Sequence, residues 1–114
     1  MKSNTVRIGG GNWRSRLIKF SDSTGLRPTP DRVRQTLFNW LGQDLTGKTC
    51  LDLFAGTAVL GFEALSRNAK HVVIVEKTSA VHQMILQNQA ALKAESAQIY
   101  KVDALDFLTS NTQQ

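Results

Sequence analysis

The sequence predicts an α/β fold of parallel strands joined by crossover helices and preceded by a basic β-hairpin, and three observations carry that prediction. From Gly47 onward, short apolar runs suited to buried strands alternate with helical patterns, the order that a parallel sheet with crossover connections requires. The first of those runs ends in a glycine turn that opens a helix, Leu51-Asp52-Leu53-Phe54-Ala55-Gly56-Thr57-Ala58-Val59-Leu60-Gly61. Near the start, two β-prone runs flank Gly9-Gly10-Gly11-Asn12, a turn signal between paired strands.

Residues 6–20 are therefore expected to form the hairpin, a basic arm, and residues 21–25 a polar turn after it. Thr29-Pro30-Asp31 is a helix start with three agreeing parts: a capping hydroxyl, a proline whose missing N–H does no harm there, and an acid near the positive helix end. The helix should run to about Leu41 with Val33, Leu37, Phe38 and Leu41 as its apolar stripe, Arg32 and Arg34 elsewhere on its surface, and Trp40 packed at its end. Gly42 is placed to stop it. Strands are predicted at residues 49–54, 71–76 and 97–102, separated by helices near residues 59–67 and 79–92, the second amphipathic through Val81, Met84, Ile85 and Leu92. Asp103 is an N-cap for a short helix over residues 104–108, ahead of a polar tail at residues 109–114. The chain divides into an arm, residues 1–25, and a domain, residues 26–114, incomplete at its C-terminus.

Composition excludes several classes of function. With 114 residues, 41% hydrophobic and 20% charged, the chain is an ordinary globular domain. No apolar run approaches the roughly 18 residues of a membrane span, and basic and glycine residues occupy the place of a signal core, so a cytoplasmic location is expected. The single cysteine, Cys50, has no internal disulfide partner and sits in an apolar run as a small buried hydrophobe. With only His71 and His82 beside it, no metal-site spacing exists, and neither histidine is assigned to catalysis. The net charge of +5 is concentrated at the start: residues 1–50 hold nine Lys or Arg against three acids, whereas residues 51–114 hold five against six. A local basic surplus of this kind suits a polyanion, because each phosphate neutralised releases counterions.

The strand-to-helix glycine turn brings backbone N–H groups and a helix N-terminus to a ligand with no side chain in the way. Glu76 ends the next strand 20 residues after Gly56, where an acid accepts hydrogen bonds from both ribose hydroxyls. A dinucleotide-binding domain shares that spacing, so other residues separate the readings. Asp52, four residues before Gly56, stands where dinucleotide fingerprints keep apolar residues and suits a ligand ammonium. Asp103 follows the third strand, where an acid accepts from an adenine amino group; the alternative for Asp52 and Asp103 is a plain capping role. Finally, a capped helix precedes the first strand, whereas dinucleotide domains commonly begin with that strand. Together these favour S-adenosylmethionine over NAD.

Arg7-Ile8-Gly9-Gly10 with Trp13-Arg14, the block Leu26-Arg27-Pro28-Thr29-Pro30-Asp31-Arg32-Val33-Arg34-Gln35-Thr36-Leu37-Phe38-Asn39-Trp40-Leu41, the run Leu51-Asp52-Leu53-Phe54-Ala55-Gly56 and Gly61-Phe62-Glu63-Ala64-Leu65-Ser66-Arg67 resemble the RsmD-type 16S rRNA guanine-N2 methyltransferases. The resemblance extends from about residue 6 to about residue 108, and the Arg-Pro-Thr to Leu-Phe-Asn block is its most specific part. It implies the N-terminal part of a Rossmann-like class I S-adenosylmethionine-dependent methyltransferase fold. Arg27 and Thr29 would then lie beside the methionine end of the cofactor, Glu76 and Asp103 at ribose and adenine, and Asp52, Phe54, Ala55, Gly56 and Ala104 around it. The arm residues Arg7, Trp13, Arg14 and Arg16 would contact 16S rRNA or a small-subunit assembly intermediate.

Two departures qualify the resemblance. The family usually has glycine where this chain has Ala58, and a positive φ there would cost alanine on the order of 1–2 kcal/mol. The chain's only prolines are Pro28 and Pro30, both upstream of the glycine turn, so the Asp-Pro-Pro-Phe type of segment that positions the target amine is absent and the chain by itself is expected to be inactive. The fourth strand expected beside the first is also missing, which leaves residues 49–54 as an edge to be covered by the rest of a longer enzyme or by a second copy in a homodimer. Three readings stand beside the leading one: an adenine-N6 DNA methyltransferase fragment, a non-catalytic nucleic-acid-binding module, and a dinucleotide-dependent oxidoreductase fragment.

Overall fold

The computed structural model describes residues 3–21, 29–53 and 57–112. Strands β1 (Ser3–Arg7) and β2 (Leu17–Ser21) pair antiparallel, with Arg7 opposite Leu17. The arm is a hairpin, but its strands begin earlier and its connection is wider than the glycine run suggests. Residues 8–16 form a folded loop in which Ile8 N–H donates to Arg16 O and Ser15 N–H donates to Ile8 O, both at 2.9 Å. Gly11, at φ +79°, lies so close to α2 that a Cβ there would fall 1.9 Å from the Ser66 carbonyl oxygen, so only glycine fits.

Helix α1 (Asp31–Leu41) has the predicted span, and Gly42 ends it with its N–H on Phe38 O. Its cap and its inner face differ from expectation. Pro30 occupies the N-cap position without a side-chain bond, and the contribution of Thr29 is its carbonyl, which accepts from Arg34 Nη1 at 2.5 Å. Arg34, expected on the surface, is 3% exposed, because Glu63 and two backbone carbonyls receive its guanidinium inside the fold. The buried face is Arg34 with Phe38; Val33 and Leu41 are half exposed. Trp40, expected to pack at the helix end, is 81% exposed. Two residues are about 200° of helix, so Phe38 pointing inward turns Trp40 outward.

The remaining elements alternate as the sequence requires: β3 (Thr49–Asp52), α2 (Val59–Ser66), β4 (His71–Val75), α3 (Ser79–Leu92), β5 (Ala97–Tyr100) and α4 (Ala104–Thr112). The three strands are parallel in the order β3-β4-β5, with Asp52 level with Ile74 and Val75 level with Tyr100. Each strand stops short of its predicted end, where the chain bends toward the next helix, and α4 takes in residues read as polar tail. On the helix-covered face Val72, Ile74 and Ala97 are buried, whereas Leu51 and Tyr100 look the other way and remain partly open. Tyr100 meets Phe107 of α4 at a ring-centroid distance of 5.5 Å, which puts α4 against that second face. Cys50 is half-buried against the core rather than enclosed.

The core joins arm and sheet. Ile8 and Ile18 of the arm are buried in one cluster with Phe38, Phe62, Val72, Ile74 and Ile85. Among the described residues β3 pairs with β4 alone, so its other side is an edge. No helix among the described residues is long and apolar enough to cross a membrane.

Candidate cofactor-binding site

Parallel strands place their carboxyl ends on one side of the sheet, and the acids singled out in the sequence follow those ends. Asp52 is the last residue of β3, Glu76 follows β4 and Asp103 lies just beyond β5. Because the order is β3-β4-β5, Glu76 stands between the other two along that edge.

Asp52 is held by α2. Its Oδ2 accepts the Gly61 N–H at 3.2 Å, and Gly61 packs so tightly that a Cβ would meet Ile74 at 3.1 Å and Asp52 Oδ2 at 3.3 Å. Burial pushes the Asp52 carboxyl above its usual value of 3.8; the Gly61 N–H opposes that rise and the Glu76 charge adds to it. The two carboxylates are thus near enough to repel, and a cation between them would relieve both. Glu76 accepts from Thr78 N–H through Oε2 at 2.9 Å, and its own N–H donates to Tyr100 O at 3.0 Å, which fixes the backbone from which the carboxylate projects. Asp103 caps α4: its Oδ1 accepts from Leu105 N–H at 2.9 Å and Asp106 N–H at 3.4 Å, with buried Ala104 opening the helix.

Between β3 and α2 the backbone turns through Ala58 at φ 63°, ψ 20°, a left-handed conformation at a fully buried residue. The positive φ considered for this position is therefore present, and alanine bears its strain. Phe54, Ala55, Gly56 and Arg27 lie outside the described residues. Thr29 precedes α1, which runs alongside α2 with Arg34 level with Glu63 and Phe38 under Arg67, whose Cζ is 4.7 Å from the ring centroid. The residues described fit an adenosyl ligand with a cationic end: acids at successive strand ends, and the partly buried Asp52 carboxylate beside the start of α2.

The arm residues fall elsewhere. Arg7 and Arg14 are exposed, while Arg16 Nη2 donates to Ala91 O at the end of α3, 3.0 Å away. Trp13 packs partly against the core, and its N–H donates to Ser66 Oγ at 2.8 Å. Holding the arm in place is a buried cluster that sequence reading missed. Glu63, 1% exposed, accepts Gly9 N–H (2.9 Å), Gly10 N–H (3.0 Å) and Arg67 Nε (3.0 Å), with Arg34 Nε 3.6 Å away. Arg67 also bonds Gln43, and Arg34 bonds Asp31. Asn88 adds a second tie, pairing with both Lys19 N–H (3.0 Å) and Lys19 O (2.9 Å). The Glu63-Arg67 spacing of one helical turn was the available signal; the glycine partners, 54 and 53 residues away, gave none.

Comparison with known proteins places the chain in a family. The family model described as "Conserved hypothetical protein 95" matches residues 6–114. The ribosomal RNA small subunit methyltransferase D of Escherichia coli K12 is 49% identical over 93% of this chain and 54% of its own length. That of Haemophilus influenzae is 48% identical over 90% of this chain and 54% of its own. The chain thus spans about half the length of these relatives. Among solved structures, the putative methyltransferase yhhF from Escherichia coli superposes with a TM-score of 0.83 at 44% identity, covering 92% of this chain and 56% of that one. The putative methylase HI0767 from Haemophilus influenzae gives 0.73 at 42%, again over 92% and 56%. By the family match over residues 6–114 and these identities, the chain belongs to the Conserved hypothetical protein 95 family, that of the RsmD-type methyltransferases.

Proposed function

We propose that this chain is the cofactor-binding portion of an enzyme that methylates the exocyclic N2 of a guanine in 16S rRNA. The observation that carries the reading is the alignment of Asp52, Glu76 and Asp103 at the ends of three adjacent parallel strands, in a chain that is a relative of ribosomal RNA methyltransferases. S-adenosylmethionine supplies an activated methyl group when bound. Glu76 receives the ribose hydroxyls, Asp103 the adenine amino group through the carboxylate oxygen that does not cap α4, and Asp52 the ammonium. Arg27 and Thr29 border the methionine end, and Phe54, Ala55, Gly56 and Ala104 form the surrounding loops. The basic arm meets the RNA.

Positioning of the target amine belongs to a proline-containing segment absent from a chain whose prolines are Pro28 and Pro30.

Titration calorimetry with S-adenosylhomocysteine and with NAD tests the reading. Binding of the first alone is the expected result, and binding of NAD alone would reverse it. Glu76→Ala should weaken S-adenosylhomocysteine by about 1.5–3 kcal/mol, since hydrogen bonds to a charged acceptor are lost; unchanged affinity removes Glu76 from the site.

A further inference from the structure

Between the arm and α1 lies a cavity of about 230 Å³, lined among others by Arg7, Arg14, Arg34, Glu63 and Arg67. At about 30 Å³ of liquid volume per water, it has room for one phosphate group with its hydration. Its wall is rigid and electrically balanced. Arg34 and Arg67 are buried cations, and Glu63 and Asp31 are the anions they pair with. Donors nonetheless exceed acceptors there, since the buried Arg34 Nε–H makes no hydrogen bond.

The charge left over belongs to Arg7 and Arg14, which line the same cavity from two sides of the folded loop. Both are exposed, and neither guanidinium has an ion-pair or hydrogen-bond partner among the described residues. Their backbones are fixed: Arg7 O accepts from Arg34 Nη2 at 2.8 Å, and Arg14 N–H donates to Gly11 O at 3.2 Å. Two guanidinium forks on a fixed frame around a phosphate-sized space are suited to bidentate capture of a phosphodiester. The neighbouring aromatic residue, Trp13, is partly buried and packs against the core.

We propose that this cavity is a phosphodiester subsite, in which Arg7 and Arg14 grip the backbone of the RNA strand without reading its bases. It rests on the RNA-methylating reading above. It is separate from the cofactor edge: Glu63 and Arg67 lie about 6 and 12 Å along α2 from Val59, where that helix leaves the carboxyl side of the sheet. A strand held here would be anchored at a distance from the base being methylated.

The test is the salt dependence of binding to a fluorescent small-subunit rRNA fragment, followed by anisotropy on the full 114-residue chain. Replacing both arginines, Arg7→Gln with Arg14→Gln, should lower affinity about tenfold near 0.1 M salt and flatten the log–log slope by about one to two units. Lys70→Gln, removing one exposed charge outside the cavity, should change the slope by less than half a unit. The paired Arg7→Lys and Arg14→Lys variant should restore the slope but only part of the affinity, because the charge returns without the fork. S-adenosylhomocysteine affinity should be the same in all four proteins. An unchanged slope in the double glutamine variant overturns the subsite. So does a slope change for Lys70→Gln as large as that of the double glutamine variant, or displacement of RNA by inorganic phosphate no greater than chloride of equal ionic strength achieves. Absence of RNA binding by the unsubstituted chain would sink the RNA reading itself, and the subsite with it.

Discussion

At Asp52 the chain keeps a carboxylate where burial disfavours its charge. The folded protein holds that proton more tightly than the unfolded chain does. The residue's contribution to stability therefore falls as pH rises from the ordinary value of 3.8 through the raised folded value. Asp52→Asn, which retains an acceptor for Gly61 N–H, should be more stable than the parent at neutral pH and no more stable below the ordinary carboxylate range; denaturant melts at both pH values measure it. An Ala58→Gly variant removes a methyl group from a left-handed residue and should raise stability by about 1 kcal/mol. Chemical denaturation at fixed pH reads the gain. Both sites were legible as residues of interest because a strand, a turn and a helix start each impose a local rule. The cation–acceptor logic inside the arm was not legible, since Arg34 reads as a surface charge until Glu63, from a distant helix, is beside it.

At the scale of elements, the helices and strands followed from periodicity, and α3 has the span its apolar repeat indicates. Its third inward residue is Asn88, not a hydrophobe, because that face carries β2 of the arm and a backbone edge needs hydrogen bonds. The same physics turned α1. Its apolar stripe through Val33 and Leu41 predicted one face, yet Arg34 and Phe38 are the residues enclosed. Spacing along one helix cannot register that a carboxylate on another helix will take in an arginine. Glu63→Ala leaves buried Arg67 without its anion, Arg34 with Asp31 alone, and two glycine N–H groups without an acceptor. We expect a loss of about 3–5 kcal/mol, seen in denaturant unfolding. Loss of less than about 1 kcal/mol would mean that the arm is not locked through this residue.

For the whole molecule, the parallel arrangement was readable because alternating strands and helices admit few topologies. The placing of Asp52, Glu76 and Asp103 along one edge was readable because the ends of parallel strands share one side of the sheet. The arm's docking was not, since it depends on contacts between the start of the chain and residues 53 to 75 positions further on. The edge of β3, which pairs with β4 alone among the described residues and has Leu51 48% exposed, has a measurable outcome. Sedimentation velocity should detect concentration-dependent association of this chain, and Leu51→Lys should suppress it.

Helix α2 bears two loads at once. Its first residue adjoins the strained bend at Ala58, and its last carries Gly10 and Trp13 of the arm on the Ser66 hydroxyl. Nearly every residue between is enclosed, so the rod has no slack in which a small displacement could be lost. Occupying one end must therefore be felt at the other, and proton exchange at the Gly9 and Gly10 amides should slow when S-adenosylhomocysteine is added.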